Sequence, residues 1–267
     1  MDLNKELDNI YDSYNVNKND NNKFITYLVN LYYLLKTRLF EIRESWLWYL
    51  IMICITPLSL MITLGLYFKN TDTKLLEFIV SGNMIMGMVT GSMLTLGQNL
   101  GFLKAYKGFD YYAVLPIHKS AIIISYVINS TILTLPSTFI IYIVGDILFG
   151  LSFKINIVII PIMFLGGLSL AGIGAIIGIY SKSMRMASLL TQIIQPLIVF
   201  MAPVMIPYDV LPLPLKYTSF FIPTKYIAEA FRQALNNKID TYNIIILFII
   251  SIVSMYLVCC KLDWSKE

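Results

Sequence analysis

The chain has 267 residues, of which 57% are hydrophobic and only 13% are charged, and its net charge is +4. A soluble domain carries roughly twice that charged fraction, and this chain has too little polar sequence to cover a globular core. The composition therefore excludes a soluble protein and indicates an integral membrane protein. The basic residues form no long run, so we expect no nucleic-acid partner.

Residues 1–22 are rich in Asn and Asp, and the acids Asp2, Glu6 and Asp8 lie near the start. They include no apolar segment of the kind that a secretory signal peptide has. A segment of this composition cannot bury enough apolar surface to fold. We therefore predict that 1–22 is a disordered tail on the cytoplasmic side of the membrane.

An amphipathic stretch follows over residues 23–45. Its apolar residues recur every three or four positions and so form one stripe on a helix, made of Phe24, Leu28, Leu31, Leu35, Leu39 and Ile42. We predict a helix that lies in the inner membrane interface and leads into the aromatic residues Trp46, Trp48 and Tyr49. The alternative is a helix that extends the first span into the cytoplasm.

Residues 46–267 contain six apolar segments, and each approaches the ~20 residues that a helix needs to cross a bilayer. They run over about 46–68, 78–100, 121–144, 155–180, 189–206 and 243–260, and the last two are the shortest. The predicted fold is therefore an all-α integral membrane domain with six transmembrane helices. Most Lys and Arg residues fall on one side if both termini are cytoplasmic, which predicts that orientation in the plasma membrane.

The outer connection, residues 207–242, is longer than a hairpin needs. A helix-like run over 224–235 follows Pro223, with Tyr226 on its apolar stripe and Glu229, Arg232 and Gln233 off it. We predict a short amphipathic helix here that dips into the outer leaflet before the last span. The residues assigned to this outer segment are Pro223, Tyr226, Glu229 and Arg232.

The sequence offers little for catalysis or for ion-driven transport. The one histidine, His118, cannot form a histidine-based metal site alone, so we expect neither a metal nor a catalytic residue. The spans carry essentially no charged residue at mid-membrane, where an ion-coupled pump would need one. The chain also lacks a phosphate-binding loop of the Gly-x-x-x-x-Gly-Lys-Ser/Thr type. Any active transport must therefore draw its energy from another subunit.

Neutral polar residues are concentrated in the second and fifth spans. Amides and hydroxyls in a membrane bond across helices or face a pathway or an interface. The candidates for a pathway or dimer interface are Asn83, Thr90, Thr95, Gln98, Gln192 and Gln195. Hydrogen bonding within the bundle is an equally good explanation. The glycines of the second and fourth spans are predicted to let helices pack closely.

Two patches resemble the transmembrane subunit of ABC-2 type transporters, a family of drug, antimicrobial-peptide and polysaccharide exporters. The first is the inner loop Lys107-Gly108-Phe109-Asp110-Tyr111-Tyr112-Ala113-Val114-Leu115-Pro116-Ile117-His118-Lys119. The second is Pro207-Tyr208-Asp209-Val210-Leu211-Pro212, followed by Pro223-Thr224-Lys225-Tyr226 and by Glu229 to Arg232. With the interfacial helix and the six spans, the resemblance covers nearly the whole chain from about Phe24.

The resemblance implies a pore made of two such subunits, either two copies or this chain with a related permease. It also implies a separate ABC ATP-binding subunit, which would bind ATP and Mg²⁺ and dock under the inner loop. The residues assigned to docking are Lys104, Lys107, Asp110, Tyr111, Tyr112, Pro116, His118 and Lys119. The expected function is export of an antimicrobial peptide or amphipathic drug. The alternatives are export of a polysaccharide or teichoic-acid precursor, and a membrane scaffold or sensor without transport.

Overall fold

The computed structural model describes residues 23–68, 73–151 and 157–260, and their regular structure is helical. The predicted tail 1–22 lies outside this part of the chain. We number the helices α1 Lys23–Arg43, α2 Trp46–Tyr67, α3 Thr73–Met88, α4 Thr95–Ala105, α5 Gly108–Ala113, α6 Lys119–Phe149, α7 Ile159–Tyr180, α8 Met184–Phe200, α9 Leu213–Ser219, α10 Pro223–Leu235 and α11 Thr241–Cys260. A π-helical turn, Val89–Leu94, joins α3 to α4 in one continuous rod, and a 3₁₀ turn occupies Tyr208–Val210.

Five helices among the described residues are long and apolar enough to cross a membrane. They are α2, the rod from Lys74 to Ala105, α6, α7 and α11 up to Cys259. The remaining predicted span corresponds to α8, which is apolar but has only 17 residues. The multi-pass helical architecture is confirmed, whereas the count of six crossings stays a prediction.

The fifth predicted segment is displaced along the chain. Its helix begins at Met184 and ends at Phe200, instead of running over 189–206. Ser183 starts it, because its side-chain oxygen accepts a hydrogen bond from the Met186 backbone N–H over 3.2 Å. Hydropathy alone predicts too late a start for this helix, because Arg185 interrupts the apolar run. Residues 201–206, the end of the predicted span, form turns and bends instead of helix.

Helix α7 lies at the centre of the bundle and packs against α4, α6, α8, α10, α11 and the π turn. Its glycines permit this packing, as the sequence predicts. A Cβ at Gly174 would clash with the backbone carbonyl of Met93, and one at Gly178 would lie 2.7 Å from the carbonyl oxygen of Gly97. The rod and α7 therefore touch backbone to backbone.

The ends of the bundle differ in what they carry. We call the end with α5 the α5 end and the opposite one the α10 end. Helix α1 is separated from α2 by a turn at Glu44 and Ser45, and it packs along α6 at the α5 end. Helix α10 packs against α7, α11 and α3, and most of its residues are buried.

Candidate functional site

A groove of about 800 Å³ runs along the bundle between α2, the rod and α8. Five of the six residues assigned to a pathway or interface line it, namely Thr90, Thr95, Gln98, Gln192 and Gln195. Trp48, Met52 and Ile53 of α2 form the facing wall. The structure thus brings together polar residues from two segments about a hundred positions apart in sequence.

The π turn sets which residues of the rod face this groove. Met86, Thr90, Leu94 and Thr95 all line it, so after the turn the groove takes both Leu94, four residues after Thr90, and Thr95, five residues after it. The Thr95 hydroxyl stabilises the wide turn by donating to the Thr90 carbonyl oxygen over 3.0 Å. An uninterrupted α-helix would continue the spacing of four and give the line Met86, Thr90, Leu94. The turn therefore adds a hydroxyl to the polar wall.

Hydrogen bonds join the rod to α8 along the groove. The Nε2 of Gln195 donates to the Thr90 Oγ1 over 2.8 Å, and the Thr90 hydroxyl donates to the Met86 carbonyl oxygen. Nearer the α5 end, the Nε2 of Gln98 donates to the Ser188 Oγ over 3.3 Å. The polar residues therefore both face the groove and hold its walls together, so the two explanations offered by the sequence do not exclude each other.

Asn83 does not share this position. Its side chain is fully buried in α3, and its Nδ2 donates to the Ile79 carbonyl oxygen of its own helix over 2.7 Å. It does not line the groove. Its hydrogen bond lies within α3, which agrees with the alternative explanation that these polar residues bond within the bundle.

The residues assigned to docking surround α5. Six of them are exposed, namely Lys107, Asp110, Tyr111, Pro116, His118 and Lys119. Lys107 takes a left-handed backbone conformation, with φ of 54°, immediately before Gly108 opens α5. This sharp turn separates α5 from α4 and presents Asp110 and Tyr111 outward.

Tyr112 and Lys104 have a different role, because both are half-buried. The Tyr112 hydroxyl accepts a hydrogen bond from the Nη2 of Arg38 on α1, and Lys104 donates to the Ile179 carbonyl oxygen over 3.4 Å. These two residues attach α5 and its loop to the rest of the fold. The docking surface that remains exposed is narrower than the sequence suggested.

Arg38 connects α1 to this loop, and sequence reasoning missed it. Its guanidinium lies 4.0 Å from the ring centroid of Tyr126 on α6, and its Nη1 forms a 2.7 Å ion pair with Glu41. Tyr27 adds a second link, a 3.2 Å hydrogen bond between its hydroxyl and the Ser120 Oγ. The charged second half of α1 was the only available signal, and it did not indicate a partner.

At the α10 end, Arg232 binds inward. It donates to the carbonyl oxygens of Pro203 and Val204, over 2.8 and 2.5 Å, and to the Ser81 Oγ over 3.1 Å. Its guanidinium also lies 3.7 Å from the ring centroid of Phe78. The amphipathic pattern placed Arg232 off the packed stripe, but the free carbonyls beyond α8 draw its long side chain into the bundle.

The other residues assigned to the outer segment also make defined contacts. Pro223 occupies the first turn of α10, and the Tyr226 hydroxyl donates to the Phe220 carbonyl oxygen over 2.8 Å. A carboxylate oxygen of Glu229 accepts from the Nδ2 of Asn243 on α11 over 3.1 Å. Helix α10 is thus tied both to the loop before it and to the last helix.

The chemistry available at the groove is hydrogen bonding and apolar contact. The rod and α8 supply all the carboxamides, together with apolar residues such as Leu94 and Val199, whereas α2 supplies mainly apolar side chains and the hydroxyls of Tyr49 and Thr56. Within the described ranges, no group of three or more His, Cys, Asp or Glu could hold a metal ion. The arrangement can bind and guide a molecule along the bundle.

The family model of ABC-2 type transporters matches residues 30–236, which is most of the chain. A search of curated proteins finds no match. The matched region begins within α1 and ends just after α10, so it includes the groove, the α5 loop and the buried arginine. The chain therefore belongs to the ABC-2 type transporter family, as a multi-pass transmembrane subunit of a transporter.

Proposed function

We propose that this chain is the transmembrane subunit of an exporter that a separate ABC ATP-binding subunit drives. The groove carries the proposal, because it extends along α8 from Ser188 near the α5 end to Phe200 at the last residue of that helix. The rise from Ser188 to Phe200 along an α-helix is about 18 Å, more than half the ~30 Å thickness of the hydrocarbon. A groove of that length, polar over its first half along α8, suits a route across the membrane.

The α5 end is cytoplasmic in this proposal, and both termini lie on that side. The ATPase subunit would dock on the exposed side chains around Asp110 and Tyr111. Arg38 and Tyr27 support the transmission of its movement, since they join α1 to the loop and to the first residues of α6. A push on α5 would then displace α1, α4 and α6 together.

Helix α8 makes the fifth of six crossings together with α10. Its 17 residues correspond to about 25 Å, less than the hydrocarbon thickness. The Thr224 hydroxyl donates to the Ile198 carbonyl oxygen over 2.8 Å, and Arg232 donates to the carbonyls beyond α8. When a helix ends within the hydrocarbon, the backbone carbonyls at its end need such hydrogen-bond donors. Helix α10 thus supplies the outer part of this crossing.

Two permease subunits would place their grooves face to face and enclose the route between them. The partner is a second copy of this chain or a related permease. The substrate would be an amphipathic antimicrobial peptide or drug, because the groove presents carboxamides on the rod and α8 and mainly apolar side chains on α2. Lipids of both leaflets would surround the dimer, and the exposed apolar side chains of α1 and α2 would contact them.

Co-purification with an ATPase subunit tests the proposal. Asp110→Lys and Tyr111→Ala are expected to lower the amount of co-purified ATPase and its substrate-stimulated hydrolysis at least severalfold. Tyr67→Ala is the matched control, because Tyr67 is also a highly exposed tyrosine but ends α2 away from the α5 end. An unchanged ATPase association in both docking variants would contradict the assigned surface. The absence of any associated ATPase would contradict the function.

A further inference from the structure

We propose that the molecules that pass along the groove are uncharged amphiphiles. Their hydrogen-bonding face would lie against α4 and α8, and their apolar face against α2. This inference rests on the proposed transport function and names the substrate class that the groove would take.

The lining of the groove is electrically neutral over the described residues. None of the described side chains that line it is acidic, basic or a histidine. A smaller cavity of about 180 Å³ adjoins it at the α5 end and shares Ser45, Tyr49 and Asn99 with it. The charged residues there are Arg38 and Glu41, and they pair with each other. The route therefore offers no countercharge to a passing ion.

A charged group that leaves water without a countercharge loses its hydration and gains nothing comparable in return. This cost applies to phosphates and sulfates, and equally to ammonium groups. A polymer with a phosphate in every repeat is therefore a poor match for this groove. A peptide or drug without charge on its transported part is a good one.

The walls of the groove differ in polarity near its middle. The wall from the rod and α8 presents the carboxamides of Gln98, Gln192 and Gln195, which both donate and accept hydrogen bonds. The middle of the α2 wall is aliphatic, with Met52 and Ile53. A ligand with amides or hydroxyls on one side and hydrocarbon on the other would satisfy both walls.

Tryptophan quenching can test this preference directly, because Trp48 lines the groove. The chain has three tryptophans, so Trp46→Phe with Trp264→Phe leaves Trp48 as the only reporter. The purified permease, in lipid nanodiscs, would be titrated with three brominated dodecyl compounds. These are a neutral glucoside, a trimethylammonium and a sulfate. Concentrations would be expressed as probe bound to the membrane. On that scale, we expect the glucoside to quench half of the Trp48 fluorescence at about a tenfold lower concentration than either ion does.

Probes dissolved in lipid also reach Trp48, so charge-introducing variants provide the decisive comparison. Gln192→Lys is expected to lower the half-quenching concentration of the sulfate about tenfold, and Gln192→Glu that of the trimethylammonium, since each supplies the missing countercharge. Gln98→Lys and Gln98→Glu form a second pair. Gln233→Lys and Gln233→Glu are the matched controls, because Gln233 is exposed on α10 outside the groove.

Two results would overturn the inference. One is half-quenching by an ionic probe at the same concentration as by the glucoside in the reporter chain. The other is a set of groove variants that respond to the ions no differently from the Gln233 controls. The ATPase co-purification described above is independent of this binding assay. Loss of the proposed function and loss of the proposed substrate class can therefore be told apart.

Discussion

Gln195 of α8 donates a hydrogen bond from its Nε2 to the hydroxyl of Thr90 in the π turn, over 2.8 Å. The bond joins the rod to α8, between two groove residues that are 105 positions apart in sequence. Because Thr90 in turn donates to the Met86 carbonyl oxygen, α8 is linked through it to the backbone of α3.

A double-mutant cycle should detect this link. Gln195→Leu and Thr90→Val each remove one partner, and we expect a coupling free energy of about 0.6 kcal/mol, typical of side-chain hydrogen bonds within membrane bundles. Unfolding of the purified permease in mixed detergent micelles would provide the stabilities. Strictly additive effects of the two substitutions would show that the contact contributes nothing.

Replacement of Arg232 should destabilise the α10 end. Arg232→Gln would leave the carbonyl oxygens of Pro203 and Val204 with fewer donors, and we expect a loss of about 2 kcal/mol in the free energy of unfolding. Arg232→Lys should recover part of it, because an ammonium group keeps the charge but cannot reproduce the planar fork of donors. Thermal unfolding in detergent would measure both variants.

Arg185→Gln is the control for these variants, since Arg185 is an exposed arginine in the first turn of α8. If it lowers stability as much as Arg232→Gln does, the inward contacts of Arg232 are not the cause.

The packing of α7 on the rod predicts that two glycines of α7 tolerate replacement by alanine to different degrees. A Cβ at Gly174 meets the Met93 backbone, whereas one at Gly166 would lie 3.0 Å from the terminal methyl of Met88, which can move. We expect Gly174→Ala to cost about 1–3 kcal/mol and Gly166→Ala clearly less. Expression level and thermal stability of the two variants would be compared. Equal losses of stability in the two variants would show that the Gly174 contact with the Met93 backbone is not what limits substitution.

A deletion can test the π turn. Removal of Ser92 would restore an ordinary α-helical period and still keep Met86, Thr90 and the present Thr95 on one line, at spacings of four. We therefore expect a folded protein with stability within about 1 kcal/mol of the parent, because a π turn is one residue inserted into an α-helix.

Deletion of Ser130 is the matched control, because Ser130 is also a buried serine that bonds to a backbone carbonyl, but in the α-helical α6. There a deletion rotates the rest of the helix by about 100° and should abolish folding. The yield of folded protein would be measured for both deletions by size-exclusion chromatography. Similar yields would contradict the view that the π turn tolerates the loss of one residue better than an α-helix does.

Hydropathy was sufficient to predict the helical membrane fold, because each long apolar run must satisfy its own backbone hydrogen bonds within lipid. The polar residues of the groove were also identifiable, since amides such as Gln195 are costly in a membrane unless they have a partner or a function. The small residues of α7, such as Gly174, were correctly read as contact points between helices.

Features that depend on distant parts of the chain were not predictable. The backbone of Met93 in the π turn lies close to Gly174 of α7, a contact that no local propensity reveals. The contact between Arg38 and Tyr112 joins positions that are 74 residues apart. Arg232 lies on the polar side of its own helix and turns inward only because unpaired carbonyls follow α8. Each of these depends on which helices become neighbours.

The short length of α8 has a consequence for release. In the proposed transporter its last residue, Phe200, lies several ångströms below the outer head groups, since about 25 Å of helix cannot reach across about 30 Å of hydrocarbon. The groove ends at this residue. A transported amphiphile would therefore leave the protein sideways, with its apolar part among the acyl chains of the outer leaflet. It would reach water only by desorbing from the lipid.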